Sequence, residues 1–204
     1  MSDAARAASQ ALLALVLAGL LGVNVWLGAC TALAAALVFP PAAWRPLGLA
    51  RALACYGVWL VFWVAFAAAY LRVMRAVGHP VAPQGPLQAL AERGVTLPSF
   101  WLEVTVIVCV APVVEEVIFR GYLFASVCRA VPAWLAQLIV AALFGLAHGL
   151  EHALPIGVLS LVFGYLRGRS GALAPSMFVH ALHNGLMVSA VVCWPGLLDL
   201  LYAR

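Results

Sequence analysis

No lysine occurs in the 204 residues, and only 9% of the side chains carry charge. Ordinary soluble domains hold about a quarter of their residues as charged groups, so this shortage argues against one. Clustered positive charge is also missing. The eleven basic residues are all arginines, spread over the ends of apolar runs, which fits anchoring at a membrane surface and not a nucleic-acid footprint. There is no C-x-x-C pair, and the cysteines (Cys30, Cys55, Cys109, Cys128, Cys193) are odd in number. They are expected as buried thiols acting as small hydrophobes. The G-x-G-D motif of aspartyl intramembrane proteases is absent, as are internal repeats and low-complexity tracts beyond an alanine and leucine bias.

What is present is apolar. Hydrophobic residues make up 66% of the chain and the mean hydropathy is +1.09. Long apolar runs between short polar breaks are the pattern of a polytopic helical membrane protein, so the expected fold is all-α, a single membrane domain over residues 1–204. Six spans are expected. The first, Ala11 to Phe39, ends at Pro40 and Pro41, and is too long for one upright helix, so it tilts, bends near Asn24 to Gly28, or projects. Its length, with no small-residue cleavage site after it, marks a retained span and not a signal peptide. Trp44, Arg45 and Arg51 then form an interfacial anchor ahead of a second span, Ala52 to Met74, whose aromatics (Tyr56, Trp59, Phe62, Trp63, Phe66, Tyr70) are read as packing.

Residues 76–98 are the one long polar connection, punctuated by Gly78, Pro80, Pro83, Gly85, Pro86, Gly94 and Pro98. A short amphipathic helix is expected near Leu87 to Arg93, and His79 is expected to be exposed. The remaining spans are a helix entered near Pro98, then Ala133 to Gly149, Leu154 to Leu166 and Leu173 to Cys193. Residues 99–193 thus form the candidate catalytic core. Arginine counts do not orient the chain: Arg6, Arg72, Arg75, Arg93 and Arg204 fall on one side, and Arg45, Arg51, Arg129, Arg167 and Arg169 on the other.

The stretch Phe100 to Arg129 is unlike the other spans, because Glu115, Glu116 and Arg120 lie where leucine would ordinarily stand. Ionisable groups inside a bilayer cost a few kcal/mol each and usually serve a pathway or a site. Glu115 lies about 24 Å along a helix that begins near Pro98, far from bulk water. Glu116 and Arg120 are four apart with the acid first, the favourable order for a pair on one helix face. Glu115 is rotated about 100° from Glu116 and is left to act, as a general base does. Pro112, one turn earlier, should loosen the helix and free carbonyls. His148, His180, His183 and Asn184 also lie in otherwise apolar helices, with Phe144 and His148, and His180 and Asn184, each sharing a face.

Two motifs are decoys. His148-Gly-Leu-Glu151-His152 fits the H-x-x-E-H zinc signature, but no further acid except Asp199 follows, and Gly149 and Pro155 suggest that the helix ends inside it. Gly168-Arg169-Ser170-Gly171 fits the G-x-S-G of rhomboid proteases. If Ser170 begins the sixth helix, His180 is about 15 Å further along the same axis, beyond hydrogen-bond reach.

Glu115-Glu116-Val-Ile-Phe-Arg120, Phe144-Gly-Leu-Ala-His148 and His180-Ala-Leu-His-Asn184 resemble, in order, the E-E-x-x-x-R, F-x-x-x-H and H-x-x-x-N/D motifs of the CPBP family, the CAAX proteases and bacteriocin-processing enzymes. The resemblance covers Glu115 to Asn184. It implies a glutamate-dependent intramembrane endopeptidase in which Glu115 and His148 activate water. His180 and Asn184 would stabilise the oxyanion, while Glu116 and Arg120 hold the geometry beside Phe144. His183 stands outside the motifs and receives no role. No cofactor is expected. Zinc at Glu115, His148 and His180 is the weaker alternative, since asparagine is a poor zinc ligand and a good oxyanion donor.

The expected substrate is a membrane-anchored or hydrophobic protein or peptide, with the lipid bilayer as surroundings and no nucleic acid. The arginine-only, alanine-rich composition resembles that of a GC-rich bacterium, where prenylated proteins are not expected, and points to the bacterial inner membrane. Processing of secreted peptides or of a C-terminal anchor fits better. Two other functions compete: a non-catalytic membrane binding protein of immunity-factor or chaperone type using the same cavity, and a proton-coupled carrier using the intramembrane glutamates.

Overall fold

Asn24 breaks the first apolar run. Helix α1 (Asp3–Val23) stops before it, and the Asn24 side-chain oxygen accepts the backbone N–H groups of Trp26 and Leu27, both at 3.0 Å, capping α2 (Val25–Val38). The run is therefore two helices, not one tilted span. A Cβ on Gly28 would fall 2.4 Å from Leu21 Cα, so glycine is what allows α2 to turn back against α1. The chain is seen here in a computed structural model that describes residues 3–38, 48–92, 95–194 and 196–202. Pro40, Pro41, Trp44, Arg45, Arg93, Gly94 and Arg204 lie outside the described residues, and so does most of the expected interfacial anchor.

After α3 (Leu49–Ala76) the polar connection carries α4 (Gly85–Glu92), the expected amphipathic helix. It is not a free surface helix. Its Leu90 is buried with Phe100 and Val188, which docks α4 on the helices that carry the acidic motif and the third motif. His79 is exposed, as expected.

Residues 98–127 form one continuous helical path, α5, in which α-helical segments alternate with two π-helical ones, Val106–Val110 and Val117–Leu123. Pro112 cannot donate a backbone hydrogen bond, and the first π stretch lies immediately before it, where the ladder widens so that the Ala111 N–H reaches Val106 O. The sequence thus dictates a loosened helix ahead of Glu115 and Glu116.

Helices α6 (Ala133–Ala147) and α7 (Ala153–Ser170) make the most extensive helix–helix contact among the described residues. A Cβ on Gly145 would sit 2.0 Å from Ala153 O, so no other residue fits there without moving one helix. Then come α8 (Ala174–Cys193) and a short α9 (Leu197–Tyr202), which the sequence reading did not anticipate. Ser170 closes α7 and does not open α8: its hydroxyl bonds both the N–H and the C=O of Ala172, and Gly171 is the left-handed C-cap. The rhomboid-like tetrapeptide is a helix stop.

Two packed layers position the site. The hairpin α1–α2 covers one side of α5 with a stripe of small residues, Ala14, Ala29 and Ala32, against Val117 and Ile118. On the other side α3 lays Ala52 and Tyr56 on Leu159, Val162 and Phe163 of α7 and on Val179 of α8. No strand occurs among the described residues. Three helical stretches, Ala5–Val23, Leu49–Ala76 and Ala174–Cys193, are long and apolar enough to cross a membrane unaided. A count of six spans is not confirmed among the described residues, where α2 and α6 are shorter apolar helices. Many large apolar side chains, such as Val58 and Val61 of α3, point away from the bundle, as they do in an integral membrane protein. Cys30, Cys109 and Cys193 share that outward face, so they are exposed and not buried as expected; none of the five cysteines is in a disulfide.

Candidate active site

The three motifs meet inside the bundle. Glu116 and Arg120 are both fully buried and joined at 3.0 Å across one turn of α5. A lone guanidinium could not remain there, because removing a charge from water costs several kcal/mol. This one is enclosed by acceptors and rings: it donates to the backbone oxygen and hydroxyl of Ser160 on α7, and its carbon lies 4.6 Å from the Phe144 ring centre and 5.3 Å from that of Phe163. The favourable pair expected from the sequence is present. Ser160 and Phe163 are partners that no sequence signal disclosed.

Glu115 faces the other way. Its side chain is 14% exposed, and its Oε2 lies 3.7 Å from His148 Nε2 and 3.8 Å from His180 Nε2. The two rings are fixed from behind. His148, the C-cap residue of α6, donates from Nδ1 to Phe144 O at 2.8 Å, and His180 donates from Nδ1 to the Glu116 carboxylate at 3.1 Å. His180 is also stacked on Phe163, with ring centres 4.5 Å apart. With a hydrogen on each Nδ1, both Nε2 atoms present a lone pair towards Glu115. Three acceptors therefore converge, and Glu115 Oε2, though buried, has no hydrogen-bond partner. A water placed among them would donate its two hydrogens to two of the three, such as Glu115 Oε2 and His148 Nε2, at the usual hydrogen-bond lengths of about 2.8 Å.

The same atoms are the donor set on which a zinc reading depends. Tetrahedral zinc with bonds of about 2.0–2.1 Å brings its ligand atoms to roughly 3.3–3.4 Å of one another. The separations from Glu115 are wider, and among the described residues no group of three or more His, Cys, Asp or Glu side chains is arranged to hold a metal ion. The H-x-x-E-H decoy is split by the fold. Glu151 is exposed and its Oε2 receives the Ala82 N–H at 3.4 Å, in the connection before α4, while His152 starts α7.

Asn184, one turn beyond His180, donates its amide to Ile107 O at 2.9 Å, a carbonyl of the first π-helical stretch. That bond uses one amide hydrogen and leaves a second. Glu115, His148, His180 and Asn184 all line one cavity of about 630 Å³, which Gln84 and, from α4, Pro86 and Leu87 also line. Trp63, Tyr70 and His183 line it as well. The α3 aromatics are more than packing: Tyr56, Trp63 and Tyr70 stand seven residues apart, and each uses its polar atom to bond another element, α8, α7 and the turn before α7 respectively. Tyr56 bonds His183, Trp63 bonds Pro155 O at 2.8 Å, and Tyr70 bonds Glu151 O at 2.8 Å. The heptad spacing of polar-tipped aromatics was the signal available for them.

A family model described as type II CAAX prenyl endopeptidase Rce1-like matches residues 97–186, from the entry of α5 to the middle of α8. Over 80 residues the chain is 30% identical to "Putative membrane peptidase YdiL" of Bacillus subtilis (strain 168), a stretch that covers 39% of this chain and 33% of that relative. The chain thus spans about a third of the length of the relative it matches. No solved structure matches it significantly. Residues 97–186 are thus similar to Rce1-like endopeptidases, and the three complete motifs, with the similarity to a membrane peptidase, are consistent with the CPBP family.

Proposed function

We propose that this protein is an intramembrane endopeptidase that hydrolyses a peptide bond in a membrane-associated precursor. The observation that carries the reading is the convergence of His148 Nε2 and His180 Nε2 on Glu115 Oε2, which has no hydrogen-bond partner, among residues that line one cavity. In the proposed cycle a water held by Glu115 and His148 attacks the scissile carbonyl carbon, its oxygen forming the new C–O bond while a proton passes to Glu115. Electrons of the carbonyl double bond move to oxygen, and that oxyanion accepts hydrogen bonds from the second Asn184 N–H and from His180 Nε2, whose resting lone pair has taken up a proton from water before the attack. The proton on Glu115 then goes to the amide nitrogen as the C–N bond breaks.

With that added proton His180 is flanked by Glu115 and Glu116, and Arg120 balances the second carboxylate, so in the proposed step before the attack the four side chains together carry no net charge. That neutrality suits a low-dielectric site. Preorganised donors in such surroundings are worth about 3 kcal/mol each. The cycle needs no metal. Hydrophobic precursors fit the mostly apolar cavity, and a secreted peptide or a C-terminal membrane anchor is the proposed substrate, in a bacterial cytoplasmic membrane.

The test compares protein termini by mass spectrometry in cells carrying the wild type or Glu115→Gln at matched abundance. New termini in membrane or secreted proteins that appear only with the wild type are expected. Identical termini, with both proteins folded, would overturn the peptidase reading in favour of a binding protein that uses the same cavity.

A further inference from the structure

His183 lies outside the three motifs, yet it is 4% exposed, lines the cavity, and is held from two directions by α3. Its Nδ1 is 3.0 Å from the Tyr56 hydroxyl, and the Trp63 ring meets its ring edge-on with centres 4.7 Å apart. Trp63 is itself fixed by its bond to Pro155 O. Among the described residues the Tyr56 hydroxyl has no other hydrogen-bond partner, so its hydrogen has one place to go, the Nδ1 lone pair. A phenol donating to Nδ1 leaves the ring hydrogen on Nε2. That nitrogen is bonded to no described residue, and it is not among the buried polar atoms shut off from a partner, so it is open to the cavity that the ring lines.

The three histidines of the cavity are thus of two kinds. His148 and His180 are held by acceptors and present lone pairs to Glu115; His183 is held by a donor and presents an N–H. No carboxylate bonds His183, so among aromatic rings it stays neutral, a donor that does not compete for the reacting water's proton.

We propose that His183 Nε2–H is a binding subsite for a backbone carbonyl of an extended peptide lying in the cavity beside the bond to be cut, and that Tyr56 is the positioning residue that sets its tautomer. A carbonyl is the group such a neutral donor recognises, and every peptide offers one, which lets the subsite hold substrates of varied hydrophobic sequence. Its recognition of a peptide rests on the endopeptidase reading above; the tautomer does not.

Nitrogen-15 NMR of histidine-labelled protein in lipid nanodiscs reads the tautomer, with the His183 signals identified by their loss in His183→Asn. The expected signature is a bare Nδ1 and a protonated Nε2 for His183, becoming a mixture in Tyr56→Phe. A hydrogen on Nδ1 in the wild type would overturn the proposal. In parallel, a fluorescently labelled leucine- and alanine-rich peptide is titrated into Glu115→Gln protein, in which binding is read without turnover. Affinity should fall about tenfold on adding His183→Ala, and severalfold on adding Tyr56→Phe, which keeps the ring and tests for a mere folding defect. Peptide binding indifferent to both changes overturns this inference and leaves the endopeptidase reading standing. Peptide bound in a His183-dependent way by a wild type that cuts nothing overturns that reading alone, and absence of binding overturns both.

Discussion

Glu115 and Glu116 are adjacent in sequence and sit in two different regions of the molecule. The Glu116 side of α5 is sealed: Arg120, Ser160, Phe144 and Phe163 close around it and leave neither charge exposed. The Glu115 side opens on a cavity, where a carboxylate oxygen and two imidazole nitrogens face one another without a hydrogen between them. Each side keeps a buried carboxylate oxygen without a hydrogen-bond partner, Glu116 Oε2 and Glu115 Oε2, but only the second side has a cavity in which a guest can meet it. A rotation of about 100° between neighbouring residues is enough to separate the two tasks.

The comparison breaks most visibly from the sealed side. Arg120→Met leaves Glu116 without its buried partner, a change that typically costs about 3–5 kcal/mol. The expected outcome is a large loss of folded protein, read by thermal unfolding in detergent. Should Arg120→Met fold as well as the wild type, the sealed region would not be what holds α5 to α7. On the open side Glu115→Gln should do the reverse, with stability unchanged and peptidase turnover reduced by about 10²–10⁴, the usual contribution of a positioned general base.

Asn184→Ala crosses the boundary between the two regions. It removes a donor proposed for the oxyanion, for about 10²–10³ in turnover, and orphans Ile107 O, for about 1 kcal/mol of stability. Turnover per folded molecule and thermal unfolding separate these effects: a loss of stability with turnover unchanged would point to the carbonyl tie and not the oxyanion. The smallest expected effect is that of a chelator, which should leave turnover unaltered. Loss of activity with recovery on adding zinc would replace the water-bridged reading of Glu115, His148 and His180.

Much of this was legible in the chain. The Glu116–Arg120 pair follows from a spacing of four, and the loosened helix from Pro112, because both are local effects within one helix. The bend at Asn24 was one of three options, and the side-chain cap that decides it is local too. Partners contributed by other helices were not legible. Ser160, Phe163 and Tyr56 are ordinary residues of apolar helices until packing brings them to Arg120, His180 and His183. The number of full spans was likewise hidden, since composition reports that a run is apolar but not whether it folds back at a glycine.

The shortness of α6 has a consequence for how water gets in. Its 15 residues cover about 22 Å, whereas a bilayer's hydrocarbon layer is about 30 Å thick. Lipid adjoining a helix that falls short must thin to meet its ends. His148 stands at one of those ends, so thinning there would bring the aqueous phase towards the proposed water-activating pair, and the proposed hydrolysis would be resupplied with water without a dedicated channel.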